Sequence, residues 1–430
     1  MRAYASPSSL EGRLSVPGSK SHTIRAVIIS TLSEGRSVIT NPLPSEDCLS
    51  AIKACSAYGI HAETSKDKWT IEGVGRNLVV PSDIVDAGNS GTTFYFVTAM
   101  AALLDQWSVL SGDWQIRRRP VRALLRTLED LGATAFTTRS AVDAAPVVVR
   151  GPLKAGTVKI GGNFSQFISA PLLVSPMIDG ITRLEVENAK EKPYLQMTVD
   201  WMTQQGVKVD YDSKNYSYFE IKGPQAYHPV NARIPSDWES VAFPLVAAAV
   251  TDSKLTIEDL DLEGNQGDAA IVDVLQEMGA NIHVDHEHNS LTVIGGTKLH
   301  GITVNCSDIP DAVPILSVAA SFAEGTTKLT GIEMVRAKET DRVAVMHQEL
   351  AKMGAHIEET HDSMTIHGGH QLTGAAVLSH DDHRVAMALA VAGLFAKGET
   401  VVSDAQCASV SFPGFFEIMN RVGAGFVIKE

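Results

Sequence analysis

At 430 residues the chain is long enough for two or three domains, each with a core of its own. With 44% hydrophobic and 20% charged residues it has the composition of an ordinary globular protein. The net charge of -14 argues against a nucleic-acid coat or a binder of anionic membranes, both of which need a basic surface, so any anionic ligand must be met by a local concentration of Lys and Arg.

Residues 1–20 lack the apolar core of a signal peptide. From there the chain repeats itself. Six strongly apolar helices are predicted to begin near Ser21, Ser90, Ser165, Asp237, Asp311 and Asp382, at intervals of 69, 75, 72, 74 and 71 residues. Bodies such as VAFPLVAAAV and VAMALAVAGLFA are apolar on every face, which marks buried helices. A second series runs in phase: an amphipathic helix ends on Gly59, Gly132, Gly206, Gly279, Gly354 or Gly423, and a short strand follows. Glycine belongs there because helices commonly end on a residue with positive φ. Each unit reads as buried helix, strand, amphipathic helix, Gly turn and a strand or two, as in the hairpin of residues 280–296.

The sixth unit stops early at Glu430, and the N-terminal segment Arg2–Val16 is expected to supply its missing strand. That predicts an α/β protein of two domains with three units each. One domain combines residues 1–16 with 232–430, and the other spans residues 17–231. No apolar run reaches the roughly 20 residues of a membrane span, the longest being Val385–Ala396. Cys48, Cys55, Cys306 and Cys407 form no C-x-x-C pair, so a cytoplasmic location is expected and a zinc site is not.

Polar residues gather at the helix starts, where free N–H groups and the positive end of the dipole make anion sites. Lys20, Arg25, Arg119, Lys338, Arg342 and Arg384 supplement them, which predicts a cleft for phosphates and carboxylates. Taken singly, Ser, Thr, Asp and Asn at these places read as plain N-caps and the run Arg117–Arg119 as a solvated face. Gly18–Ser21 is not a P-loop, and the adjacent residues His380–His383 point in different directions on a helix start, so no metal is expected.

The stretches PGSKSHTIR (17–25), DAGNSGT (86–92), Arg119-Pro120, Ser165-Gln166-Phe167, Lys192-Pro193-Tyr194, IPDA (309–312), KETDR (338–342), Asp382-His383-Arg384 and Phe412-Pro413 resemble the 5-enolpyruvylshikimate 3-phosphate synthase family of enolpyruvyl transferases over nearly the whole chain. The resemblance implies two domains of three βαβαββ units with the active site in the interdomain cleft. It implies transfer of the carboxyvinyl group of phosphoenolpyruvate to the 5-hydroxyl of shikimate 3-phosphate, with no cofactor and no metal. Lys20 is then expected to touch both substrates. Ser21, Arg25, Ser165, Gln166, Tyr194, Asp311 and Lys338 are expected to hold the acceptor. Gly91, Arg119 and Gln166 would bind the phosphate of phosphoenolpyruvate, and Arg342 and Arg384 its carboxylate. Asp311 is the implied base and Glu339 the implied acid.

The chain departs from the family pattern at Tyr95, where Arg is usual, at Phe164 and Glu191, where Ser is common, at Met334, where some members have Asn, and at Val410, where some have Lys. These departures keep open a paralogue acting on another shikimate-like or cyclitol acceptor; a non-catalytic anion-binding protein is a separate alternative, against which Lys20, Asp311, Glu339, Arg342 and Arg384 stand together. A UDP-N-acetylglucosamine enolpyruvyl transferase typically uses a loop Cys, and Gly112–Pro120 contains none. The expected partners are small anionic substrates, with neither nucleic acid nor membrane, and the expected state is a monomer.

Overall fold

The computed structural model describes residues 1–430 and contains twelve α-helices and six four-stranded sheets. Helices α1 (Lys20–Leu32), α3 (Gly91–Ala101), α5 (Ser165–Val174), α7 (Trp238–Val250), α9 (Val313–Phe322) and α11 (His383–Gly393) are the apolar ones. Every residue of α7 and α11 is buried, and every residue of α1 but Lys20. Several of their hydroxyls turn back on the helix itself, as Thr98 donates to the Phe94 carbonyl at 2.6 Å and Thr31 to the Val27 carbonyl at 2.9 Å, which satisfies these buried donors. Helices α2 (Glu46–Ser56), α4 (Arg122–Asp130), α6 (Lys192–Gln204), α8 (Ile271–Glu277), α10 (Arg342–Lys352) and α12 (Phe415–Arg421) each bury one face. The glycine shortly after each of these six has positive φ, from 87° at Gly206 to 106° at Gly59. An L side chain there would be strained, so the repeated Gly is a conformational requirement.

All six sheets have one topology. In the second, Val85–Asp86 runs parallel to Ser108–Ser111, which pairs antiparallel with Val147–Arg150, which pairs antiparallel with Thr134–Thr137. Three sheets take one strand from far along the chain. Arg2–Ala5 lies between Thr400–Ser403 and Val427–Lys429 and completes the sixth sheet. Glu11–Ser15 runs parallel to Lys254–Glu258 in the fourth. Asn231–Arg233 runs parallel to Glu34–Thr40 in the first.

The chain forms two compact units, residues 1–17 with 236–430, and residues 18–235. Each holds three sheets and six helices. In the second unit one apolar core runs from Ile24 to Ile234 and gathers the buried faces of α1, α3 and α5. No helix is long and apolar enough to cross a membrane.

Candidate active site

In unit 18–235 the polar residues sit where the helices begin. The Ser19 hydroxyl caps α1 by accepting the His22 N–H. This sets Lys20, Ser21 and Arg25 on the first turns of a helix that is otherwise core. Lys20 Nζ lies 3.1 Å from Asp47 Oδ2 on α2. Arg25 is 1% exposed and ties α1 to α6: Nε donates to Thr198 Oγ1 at 2.9 Å, and Nη2 to the Tyr194 carbonyl at 3.1 Å. Its Nη1 donates to the Ser21 carbonyl. Burial lowers its pKa to about 10, while Tyr194 and Glu191 pull the other way, so the guanidinium stays charged near neutrality. The structure therefore brings together Ser21, Arg25 and Tyr194.

Gly91 opens α3 directly against Arg119; a Cβ there would overlap the Arg119 guanidinium. Tyr95, one turn further along, is 5% exposed and donates its hydroxyl to the Pro120 carbonyl at 2.9 Å. The residue that stands where Arg is usual thus braces the turn that carries Arg119. Tyr95 also packs edge-on against Phe167, which touches Phe164. Phe164 is in this way part of the aromatic packing at the start of α5.

Phe164 gives α5 no side-chain cap. The oxygen comes from Glu191, whose Oε2 accepts both the Ser165 N–H and the Ser165 hydroxyl at 2.8 Å. Gln166, the next residue, holds its Oε1 buried without a hydrogen-bond partner.

In unit 1–17 with 236–430 the centre is Arg342, 0% exposed. Its Nε donates to Asp382 Oδ2 at 2.7 Å, Nη1 to Asp311 Oδ1 at 2.5 Å, and Nη2 to Glu339 Oε2 at 2.6 Å and Asp382 Oδ1 at 3.2 Å. Burial alone lowers its pKa, but Asp382, Glu339 and Asp311 outweigh that and raise it above the ordinary value. Asp311, in the short turn Pro310–Ala312 before α9, also faces Arg384 Nε at 3.1 Å and Lys338 Nζ at 3.5 Å. Arg384 Nη2 pairs with Glu239 on the first turn of α7. Lys338, Glu339, Arg342, Asp311 and Arg384 are therefore one cluster, in which each cation already holds a carboxylate. Met334 is buried, as is Val335 beside it, and Val410 ends a 3-10 turn.

Sequence reasoning missed Asp47, Thr198, Glu239 and the bridging role of Asp382. Asp47 and Glu239 lie in first turns of helices, where an acid reads as a plain complement to the dipole. Asp382 does cap α11 through the Arg384 N–H at 2.9 Å, but the same carboxylate also anchors Arg342. His380 points away from it to Glu349 Oε1 at 2.8 Å. No group of three or more His, Cys, Asp or Glu is arranged to hold a metal ion.

Residues 4–419 match the family model for EPSP synthase (3-phosphoshikimate 1-carboxyvinyltransferase). A 3-phosphoshikimate 1-carboxyvinyltransferase from Acetivibrio thermocellus is 43% identical over 417 residues, 97% of each chain. Among solved structures, an EPSP synthase from Acinetobacter baumannii superposes with a TM-score of 0.83 at 28% identity, with 100% of both chains covered. The enolpyruvyl transferase NikO from Streptomyces tendae shares the fold, with a TM-score of 0.80 at 18% identity over 99% of this chain and 98% of its own.

Proposed function

The chain belongs to the EPSP synthase family, the 3-phosphoshikimate 1-carboxyvinyltransferases, and on that premise we propose that it moves the carboxyvinyl group of phosphoenolpyruvate to the 5-hydroxyl of shikimate 3-phosphate, releasing phosphate on the route to aromatic amino acids. The observation that carries this reading is the match along residues 4–419, which takes in every proposed site residue.

In the proposed reaction the acceptor hydroxyl gives its proton to Asp311 and attacks C2 of phosphoenolpyruvate, while Glu339 protonates C3. The tetrahedral adduct then returns a proton from C3 to the Glu339 carboxylate and breaks its C–O bond to phosphate, which restores the double bond and releases phosphate. Asp311 and Glu339 accept from the two Nη atoms of one guanidinium, so a single rigid group orients the base and the acid. Lys20, Gly91, Arg119, Gln166, Arg342 and Arg384 are assigned to phosphoenolpyruvate. Lys20, Ser21, Arg25, Ser165, Gln166, Tyr194, Asp311 and Lys338 are assigned to the acceptor. Fixed cations suit a reaction in which negative charge moves among carboxylate, phosphate and alkoxide. Four buried free cysteines support a reducing, cytoplasmic setting, and we assign a monomer acting on small anions. Phosphate release from phosphoenolpyruvate and shikimate 3-phosphate is the test: turnover is expected, and its absence at saturating concentrations of both would reject the reading.

A further inference from the structure

Glu191 immediately precedes α6, in left-handed backbone (φ 52, ψ 40), and is 1% exposed. A non-glycine residue holds that conformation at some cost, so its surroundings must fix it. The fixing contacts are on another helix. Both polar hydrogens of Ser165, backbone and hydroxyl, go to the one oxygen Oε2. The α5 N-terminus has no cap from its own segment, so its positive end is met by this carboxylate. Glu191 also acts on Arg25, where it counters part of the effect of burial. The donors and the positive field that an incoming anion would use at α5 are already engaged by an anion of the protein itself.

We propose that Glu191 is a resident competitor for the acceptor's phosphate and thereby sets acceptor selectivity. This rests on the reading of Ser165 and its neighbours as acceptor-binding residues. A phosphate gains the Ser165 N–H and hydroxyl only when the Glu191 carboxylate leaves them, because two anions on one pair of donors repel. Lys190 and Lys192 flank Glu191 in sequence and give the displaced carboxylate nearby countercharges. The phosphorylated acid must displace a bound carboxylate, whereas the unphosphorylated acid need not. The wild-type protein therefore discriminates between them less than a site with free donors does. Met, Phe and Tyr departures elsewhere do not engage these donors; Glu191 alone does.

Calorimetric titration of shikimate and of shikimate 3-phosphate into the wild-type protein, Glu191→Ser and Glu191→Gln tests this. The ratio of the shikimate Kd to the shikimate 3-phosphate Kd is expected to rise at least tenfold in Glu191→Ser. A smaller rise is expected in Glu191→Gln, which keeps an accepting oxygen and the size but not the charge, and which guards against misfolding of the serine variant. An unchanged or lower ratio in both variants overturns the proposal, as does binding of neither acid by any of the three proteins. Wild-type turnover is measured alongside. Turnover with an unchanged ratio sinks the competitor role alone. No turnover with a rising ratio sinks the assigned reaction and leaves the competitor role standing.

Discussion

Arg384 is paired with Glu239 and Asp311 and is assigned to the carboxylate of phosphoenolpyruvate. Loss of a charge-assisted contact of about 1.5–3 kcal/mol corresponds to roughly a 10- to 150-fold weaker interaction. Arg384→Ala should therefore raise KM for phosphoenolpyruvate by that order; an unchanged KM removes Arg384 from the clamp. Asp311→Asn keeps the shape but cannot take the proton. It should lower kcat by about 100-fold or more while phosphoenolpyruvate still binds, as followed by steady-state kinetics and direct titration. Near-normal kcat would leave Asp311 as only a structural partner of Arg342, Arg384 and Lys338. Gly91 is the steric counterpart: Gly91→Ala should push the Arg119 guanidinium aside and raise KM for phosphoenolpyruvate more than it lowers kcat. The reverse pattern would count against the assignment of Arg119.

At the scale of elements, single carboxylates tie neighbouring helices together. Asp382 caps α11 and bonds Arg342 at the start of α10, with 0% exposure for both residues. Asp382→Ala removes a cap and leaves a buried guanidinium short of one partner. Breaking a buried pair typically costs about 3–5 kcal/mol, of which the remaining Asp311 and Glu339 bonds should offset a part. Urea unfolding should show a loss of several kcal/mol for Asp382→Ala and a clearly smaller one for Asp382→Asn, which retains an oxygen for the cap. Equal losses would mean that the cap bond contributes nothing. Glu349, 0% exposed on α10, plays a similar part by accepting from Lys352, from His380 and from the Leu378 N–H, so it ties α10 to the segment leading into α11.

At the scale of the molecule, two compact units should not melt as one two-state system. Calorimetry should give a transition whose van't Hoff enthalpy falls below the measured enthalpy. His22 offers a label for the unit of residues 18–235. Burial, with a smaller contribution from Arg25, lowers its pKa to about 3, and its Nδ1 accepts from Trp201 Nε1 at 2.9 Å. In the unfolded chain a His titrates near 6.5. The unfolded state therefore binds a proton that the folded state refuses, and the stability present above about pH 6.5 is lost as pH falls toward 3. Between pH 6.5 and pH 5 one such group changes stability by about 2 kcal/mol. The component assigned to this unit should shift down on acidification, and His22→Gln should flatten that shift. An identical pH slope in the variant would assign the acid sensitivity elsewhere.

The repeat was legible in the sequence because its causes are local. A helix apolar on all faces has to be buried, a Gly recurring after each amphipathic stretch supplies the positive φ on which helices commonly end, and Ser19, Ser90, Asp237 and Asp382 cap their own helices two or three residues on. The motifs likewise marked which residue types would gather at the helix starts. Which partner each one holds was not legible, because those bonds link segments far apart in the chain. Glu191 reaches Ser165, Arg25 reaches Thr198 and Tyr194, Tyr95 reaches Pro120, and Arg384 reaches Glu239. The fate of the N-terminal segment shows the same division. Its need for a sheet could be read from a repeat that lacked a strand, yet only the fold divides it, with Arg2–Ala5 in the sixth sheet and Glu11–Ser15 in the fourth. Periodicity encodes what a segment must bury, while hydrogen-bond pairing depends on which distant segment packing brings alongside.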